Sequence, residues 1–280
     1  MNAEGHRILQ MLVVVLVLIT VTPVVAAGPR IASINPCVDA ILVRVADADQ
    51  IVGISHYSQD PRSTSISMDV AMRFHATSGT AEEIVVLQPD ILMSGPHASP
   101  ATLLALERMN IRVMTYPVPD SVKRSIEQVQ SIAAAAGHPE RGKQLVEEIA
   151  SAVERARFDE GAPITALIWQ SGGMVPGTGT LSDQLLQLAG FKNMSTDYGL
   201  KQWDVLPIEY LLSKPPRLVL SISRSDAAGD RMLGHPAIDK LPRDAVTFRS
   251  YPFRLLSCAG PTIIDAITRL AEIRRELVLR

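Results

Sequence analysis

Apolar runs rich in β-branched residues alternate along the chain with segments in which apolar residues recur at every third or fourth position. The short runs predict buried β-strands, and the longer periodic segments predict amphipathic helices. The strands are predicted over residues 30–35, 51–55, 90–93, 112–116, 164–169, 218–222 and 245–248. The helices are predicted over residues 39–46, 81–87, 101–109, 181–188, 208–212 and 261–277. This alternation predicts an α/β fold with parallel-type sheets covered by helices.

A long helical stretch without a strand separates two such α/β sets. Gly137 and His138 interrupt it, and Pro139 suits the first position of a new helix, where an N–H would have no partner anyway. At about 1.5 Å per residue, a helix over 139–158 spans roughly 30 Å, enough to bridge two lobes. We therefore expect an N-terminal lobe over 28–137, a connecting helix over 138–160, a C-terminal lobe over 161–280 and a ligand cleft between the lobes.

The first 27 residues have the features of a secretory signal peptide. Arg7 precedes an unbroken apolar run from Met11 to Ile19, and small residues follow up to Ala27. This run is about half of the roughly 20 residues that a membrane-spanning helix needs. We predict cleavage after Ala27 and export to the periplasm. A chain that keeps this segment as a membrane anchor is the alternative.

One segment of the first lobe is repeated in the second. Residues 82–93 can be laid without a gap over residues 209–220, so that Glu82 falls on Glu209. Each copy has a glutamate, a short helix, a proline that ends the helix and an apolar triplet that begins a strand. The match indicates an internal duplication; the alternative is that two αβ loops contain proline independently.

The composition narrows the class of protein. The chain is 47% hydrophobic and 20% charged with a net charge of −2, which is typical of a globular protein without the basic surface that nucleic acid requires. Two cysteines exclude a disulfide-rich scaffold and a four-cysteine zinc module. The glycine-rich segment 172–180 follows a strand but lacks the G-K-[ST] of a phosphate loop, and no G-x-S-x-G elbow occurs. We therefore expect no enzymatic activity, and we interpret segment 172–180 as a cleft loop.

Several segments together resemble the solute-binding proteins of ABC importers in the class whose lobes are joined by a rigid helix. They are residues 30–36, 51–55 with Tyr57 and Pro61, 82–92, 177–181 with Leu185 and Gly190, and Gly260-Pro261. Members of that family carry ferric siderophores, haem, vitamin B12 or bare metal ions. The resemblance implies a two-lobed fold and an inner-membrane ABC permease as partner.

The resemblance also implies a role for the repeated glutamates. In that family a glutamate on the surface of each lobe meets arginines of the permease, and the matching positions here are Glu82 and Glu209. Charge-assisted contacts of this kind orient docking. The alternative is that each glutamate complements the dipole of its own helix, which is worth about 0.3–1 kcal/mol.

The ligand cleft is expected at the carboxyl ends of the strands, where loops emerge. The candidate lining residues are Pro36, Cys37, His56, Tyr57, His97, Trp169, Trp203, Arg254 and Cys258. The two tryptophans are candidates for stacking on a flat ligand, and arginine suits the carboxylates of a siderophore or haem. A tryptophan in the core and a solvated arginine are the alternatives. The histidines lack the spacing of a metal site, so we predict no resident metal.

Cys37 and Cys258 fall in loops of opposite lobes. Three alternatives remain open: a disulfide between the lobes, thiolate ligation of a bound metal centre, and two unrelated small buried residues. The sequence as a whole favours a monomeric periplasmic receptor, without a cofactor of its own, that delivers a ferric siderophore or haem to an ABC permease. The alternative ligand is vitamin B12; a bare metal ion and an exported hydrolase are less favoured.

Overall fold

The computed structural model describes residues 28–158, 161–222, 234–238, 241 and 245–279. The predicted signal peptide lies outside the described residues. The described chain forms two sheets with helices packed on their faces, which confirms the α/β class and the two lobes. In this part of the chain, no helix combines the length and the apolar character needed to cross a bilayer.

The first lobe contains a five-stranded sheet in the order β3-β2-β1-β4-β5, and every neighbouring pair in it is parallel. Its strands are β1 (Ile31–Ser33), β2 (Ile51–Ser55), β3 (Ala76–Thr77), β4 (Ile91–Ser94) and β5 (Arg112–Thr115). Its helices are α1 (Pro36–Val45), α2 (Met68–Ala71), α3 (Ala81–Leu87) and α4 (Pro100–Arg108). All five strands therefore have their carboxyl ends at the same edge of the sheet.

The second lobe contains a mixed sheet in the order β11-β10-β6-β7-β9, with β8 paired to β6. Its strands are β6 (Ile164–Gln170), β7 (Met174–Pro176), β8 (Phe191–Asn193), β9 (Trp203–Val205), β10 (Leu218–Ile222) and β11 (Thr247–Ser250). The neighbours β6, β8, β10 and β11 pair in parallel, whereas β7 is antiparallel to both β6 and β9. The short strands β7, β8 and β9 of this lobe, and β3 of the first lobe, were not predicted.

The remaining helices of the described chain are α5 (Val122–Ala135), α6 (Pro139–Ala156), α7 (Leu181–Leu188), the short α8 (Ile208–Ser213) and α9 (Thr262–Val278). The predicted connector corresponds to α6, which packs against α1 and α5 on one side and α9 on the other. One apolar core runs through these helices and reaches both sheets, for example from Ile31 of β1 to Ile168 of β6. The two lobes therefore share a continuous helical layer, and separate clusters fill the outer face of each sheet.

The two copies of the repeated segment fold alike. In the first lobe α3 leads into β4, which pairs in parallel with β1. In the second lobe α8 leads into β10, which pairs in parallel with β6. Each glutamate of the repeat therefore lies in the first turn of an outer helix that precedes a strand near the middle of its sheet.

Helix capping explains where the helices at the cleft begin. Asn35 accepts a hydrogen bond from the backbone N–H of Cys37, and Pro36 occupies the first position of α1. Thr180 accepts one from the N–H of Asp183 and starts α7 in the same way. Because such caps satisfy N–H groups that a helix leaves unpaired, they fix the loops that lead into the two helices.

Candidate functional site

A cavity of about 250 Å³ lies between the two lobes. The first lobe contributes Asn35, Cys37, Pro117, Val118, Pro119, Asp120 and Gln128, and the second contributes Gly179, Thr180, Leu181, Ser182, Gln202, Trp203, Leu256, Ser257, Cys258 and Ala259. The lining combines amide and hydroxyl groups with apolar surface and one carboxylate. Such a mixture can stack on an extended ligand and hydrogen-bond its edge.

The first-lobe wall follows from the parallel sheet. Asn35 and Cys37 follow the carboxyl end of β1, and residues 117–120 follow the carboxyl end of β5. Parallel strands bring these ends to one edge, so loops distant in sequence meet there. Val118 is 68% exposed and stands at the rim.

The second-lobe wall is built around the start of α7. Gly177 lies against the backbone of Leu200, where an added Cβ would come within 2.4 Å of the carbonyl oxygen, so only glycine fits. The hydroxyl of Thr180 donates to the carbonyl of Gly177 at 2.9 Å. Of the glycine-rich segment 172–180, which was expected to be a cleft loop, only Gly179 and Thr180 line the cavity, because residues 174–176 form strand β7. Trp203 of β9 pairs with Pro176 of β7 and is 38% exposed in the cavity wall.

A disulfide joins Cys37 of α1 to Cys258, which precedes α9. The Cα atoms are 5.0 Å apart, and the two residues are separated by 221 positions in the sequence. Of the three alternatives left open by the sequence, the structure selects the bridge between the lobes. Because both sulfurs are used in this bond, neither cysteine is available as a thiolate ligand.

Other predicted cleft residues lie outside this cavity. His56 and Tyr57 are exposed, their rings are 4.1 Å apart, and His56 Nδ1 is 3.2 Å from the carbonyl of Thr77. His97 is exposed in the loop after β4. Pro36 stands in the first turn of α1 between two lining residues without being one of them.

Two predicted roles are corrected by the contacts. Trp169 is 0% exposed and belongs to the core on the outer face of the second sheet, because β6 is covered on both faces. It therefore packs in the core and has no surface on which a ligand could stack. Arg254 is exposed and forms a salt bridge with Asp265 at 3.2 Å, away from the cavity lining.

Sequence reasoning missed the loop after β5. Residues 117–120, together with Gln128 and Gln202, line the cavity but were not proposed. The signal for the loop was present, because β5 was predicted to end at Tyr116 and cleft residues follow strand ends. Gln128 and Gln202 carry no such signal, since one lies within a helix and the other precedes a strand that was not predicted.

A buried carboxyl lies in α1, two residues after the lining residue Cys37. Asp39, in the first turn of α1, is fully buried, and its Oδ2 accepts hydrogen bonds from Ser58 Oγ at 2.6 Å and Ser55 N at 2.9 Å. Its Oδ1 has no hydrogen-bond partner among the described residues. Burial raises the pKa of Asp39 to about 7, and the hydrogen bonds from the serines oppose that rise.

The two adjacent glutamates at the start of α3 differ in their contacts. Glu83 accepts hydrogen bonds from Thr77 Oγ1 at 2.6 Å and from Ser78 N at 2.7 Å, which lower its pKa. Glu82 is exposed, as is Glu209 in the first turn of α8. Within the described residues, neither of these two carboxylates has a hydrogen-bond or salt-bridge partner. In the same part of the chain, no group of three or more His, Cys, Asp or Glu side chains is placed to hold a metal ion.

Two α/β lobes that face each other across a cavity at the ends of their strands define a two-lobed binding protein. The model of the family described as periplasmic binding protein matches residues 31–246. The chain belongs to this family of periplasmic solute-binding proteins, which confirms the resemblance to the binding components of ABC importers.

Relatives and solved structures agree with this placement. The chain is 24% identical over 213 residues to the vitamin B12-binding protein of Yersinia pseudotuberculosis, covering 74% of each chain. Its fold is similar to that of the periplasmic haem-binding protein RhuT from Roseiflexus sp. RS-1, with a TM-score of 0.70, 21% identity and coverage of 88% and 97% of the two chains. It is also similar to HutB, a periplasmic haem-binding protein of Vibrio cholerae, with a TM-score of 0.73, 17% identity and coverage of 88% and 98%.

Proposed function

We propose that this protein captures a chelated metal complex in the cavity between its lobes and delivers it to an ABC permease. The observation that carries the proposal is the cavity itself, bounded by loops of both lobes, with Trp203 half-exposed in its wall. An aromatic face next to amide and hydroxyl groups suits a large planar complex with polar edges. The family membership supports a binding role over catalysis.

A ferric siderophore or haem is the leading ligand, and vitamin B12 is the second candidate. Haem is supported by the similarity to the two haem-binding structures, and vitamin B12 by the Yersinia relatives. The cavity of about 250 Å³ is smaller than the roughly 300–1,000 Å³ typical of ligand pockets. Because a chelated metal complex needs a larger cavity than this one, the rim has to open when the ligand is loaded.

Docking is assigned to Glu82 and Glu209, each exposed in the first turn of an outer helix. Each helix follows the carboxyl end of a strand, β3 for the first and β9 for the second, so both glutamates lie towards the cleft side of their lobes. Because these carboxylates have no partner in the described part of the chain, both remain available to bind arginines of a permease. The mature receptor is proposed to begin after Ala27 and to act as a monomer.

The ligand proposal is tested by titrating the purified mature protein with haem, a ferric hydroxamate siderophore and cyanocobalamin. We expect one of them to bind with a Kd in the micromolar range or below and to quench tryptophan fluorescence. Trp203→Ala should weaken that binding by up to about tenfold, because stacking of aromatic groups is worth about 0.5–1.5 kcal/mol beyond the area that it buries.

Trp169→Phe is the matched control, since Trp169 is buried in the core. It should leave ligand affinity unchanged even if it lowers thermal stability. Native mass spectrometry of protein isolated from the periplasm gives an independent readout of cargo. Absence of binding for all three probes, together with empty protein in the mass spectrum, would refute the proposed ligand class.

A further inference from the structure

Residues 254–260, which we name the strap, connect β11 to α9 in the second lobe and contact the first lobe. Besides the apolar packing of Leu255 and Ala259 in the shared core, three separate contacts join the strap to the first lobe. Ser65 Oγ donates to the carbonyl of Arg254 at 3.0 Å, Cys258 is bonded to Cys37, and Gly260 N donates to Ser125 Oγ at 2.8 Å. Each contact joins the strap to a different element of the first lobe: the loop before α2, α1 and α5.

The strap also forms part of the cavity. Four of its residues line the wall, from Leu256 to Ala259, and Cys37 lines the opposite side of the disulfide. The position of this wall therefore depends on how firmly the strap is held to the first lobe. Only one of its three fastenings is covalent.

We propose that Cys37 and Cys258 are positioning residues for the ligand cavity, and that their disulfide holds the strap in the geometry that binds ligand. A wall that is already fixed before binding loses less conformational entropy when the ligand binds, so the entropic cost of binding is smaller. The bond restrains the inner wall, so opening of the cleft is confined to the rim near Val118 and Trp203. Reduction should free the strap and loosen the cavity.

Release of the strap requires a two-electron reduction of the Cys37–Cys258 disulfide. A dithiol attacks one sulfur, the S–S bond breaks, and after a second exchange the dithiol is oxidised to its own disulfide while Cys37 and Cys258 become thiols. The shared helical core of α1, α5, α6 and α9 does not depend on this bond, because it is built from apolar packing. The expected change is therefore local to the strap and the cavity.

Amide hydrogen exchange on the full mature protein tests the release without any ligand. After treatment with dithiothreitol, we expect protection of residues 254–260 to fall at least tenfold, while β6 and α6 keep theirs. The double variant Cys37→Ser/Cys258→Ser should reproduce the reduced form. Ser125→Ala, which removes one non-covalent fastening and leaves the disulfide in place, is the matched control and should retain most of the protection.

The two tryptophans provide a second readout, since the chain contains only two. With 5-fluorotryptophan, the fluorine signal of Trp203 in the cavity wall should shift or broaden on reduction, and that of Trp169 in the core should not. Unchanged strap protection and an unchanged Trp203 signal would overturn the proposal. Loss of protection across both lobes, with a shifted Trp169 signal, would also overturn it, because the bond would then hold the whole fold.

The consequence for binding rests on the proposed function and is measured separately with haem, the ferric hydroxamate siderophore and cyanocobalamin. We expect the reduced protein to bind the active probe about tenfold more weakly, mainly through faster dissociation. Reoxidation should restore the affinity of the wild type but not of the double variant. If none of the three probes binds the oxidised protein, the proposed ligand class fails while the exchange experiment still decides the role of the strap. Equal affinity in both redox states overturns the positioning role.

Discussion

At the scale of single residues, chemically identical side chains next to each other have different roles. Glu83 is held by Thr77 and Ser78, whereas Glu82, one position earlier, has no partner among the described residues. The sequence contains a signal for this difference, because Thr80 followed three residues later by Glu83 has the form of a capping box. Thr80 accepts a hydrogen bond from the N–H of Glu83 at 3.3 Å.

The two tryptophans show a difference that the sequence could not supply. Trp169 and Trp203 were both placed at the cleft, but only Trp203 lines it. Trp169 lies near the end of a strand whose outer face is covered by its own apolar cluster. The sequence does not show what covers each face of a strand. Whether a side chain meets the core or a ligand is decided by the tertiary packing.

Asp39 gives a prediction about pH. Its folded pKa of about 7 lies above its ordinary value, so the folded state binds more protons between about pH 4 and 7. Stability is therefore lost as pH rises through this window, by about 4 kcal/mol at most. The side chain introduced by Asp39→Asn cannot ionise, so this variant does not lose stability through this group as the pH rises. We expect its free energy of unfolding, relative to wild type, to be higher at pH 8 than at pH 5 by roughly 1–4 kcal/mol, which means that the variant is relatively more stable at pH 8.

Urea denaturation at the two pH values measures this difference. Comparing each variant with wild type at the same pH cancels the contribution of other titrating groups. Asp49→Asn, at an exposed carboxyl, is the control and should show nearly the same relative stability at both pH values. A relative stability of Asp39→Asn that does not change with pH would contradict the buried, proton-binding carboxyl.

At the scale of elements, the strands that lie within apolar runs of four or more residues in the sequence were predictable, including the short β1 within 30–35, and β3, β7, β8 and β9 were not. The predicted strands of the first lobe all appear, because runs such as 51–55 have enough β-branched residues to stand out. Strands β7, β8 and β9 have three residues each, and their pairing with neighbours gives them their conformation. A three-residue segment has too few positions for its periodicity to be recognised.

The strap gives a prediction at this scale. Gly260 has φ +62°, and a Cβ added there would lie 2.7 Å from Ile41 Cγ1 in α1. Gly260→Ala should therefore lower the free energy of unfolding by about 2 kcal/mol or more, from left-handed backbone strain and from crowding in the core. Chemical denaturation monitored by circular dichroism measures the loss.

Gly137→Ala separates these two causes. Gly137 also has positive φ, +82°, but an added Cβ would meet nothing within 4 Å. Gly137→Ala should therefore lower the free energy of unfolding only by the cost of the left-handed backbone, about 1–2 kcal/mol. Equal losses in the two variants would mean that the strap does not pack tightly against the first lobe.

At the scale of the whole molecule, the two exposed glutamates are expected to act together from separate lobes. Glu82→Ala/Glu209→Ala should reduce transport by the cognate permease in proteoliposomes at least tenfold and leave ligand affinity unchanged, because each charge-assisted contact is worth about 1.5–3 kcal/mol. Rigid lobes present both carboxylates at a fixed spacing, so we expect each single variant to give part of the loss.

Glu83→Gln and Glu107→Ala are controls for this experiment. The first changes the carboxylate next to Glu82 that already has internal partners, and the second changes an exposed glutamate on α4. Both should transport normally. A double variant with lost ligand affinity would place Glu82 and Glu209 in the binding site and contradict the docking role.

The sequence by itself determined the α/β class, the two lobes, the helix between them and the family, because these depend on local periodicity and on motifs that persist within each element. Only the tertiary structure decided which strand-end loops form the cavity, that Trp169 is in the core, and that Cys37 is bonded to Cys258. The reason is physical: a disulfide needs two Cα atoms within about 7 Å, and a cavity needs two walls that face each other. Such distances between residues 221 positions apart are set by the packing of the lobes around their shared helices.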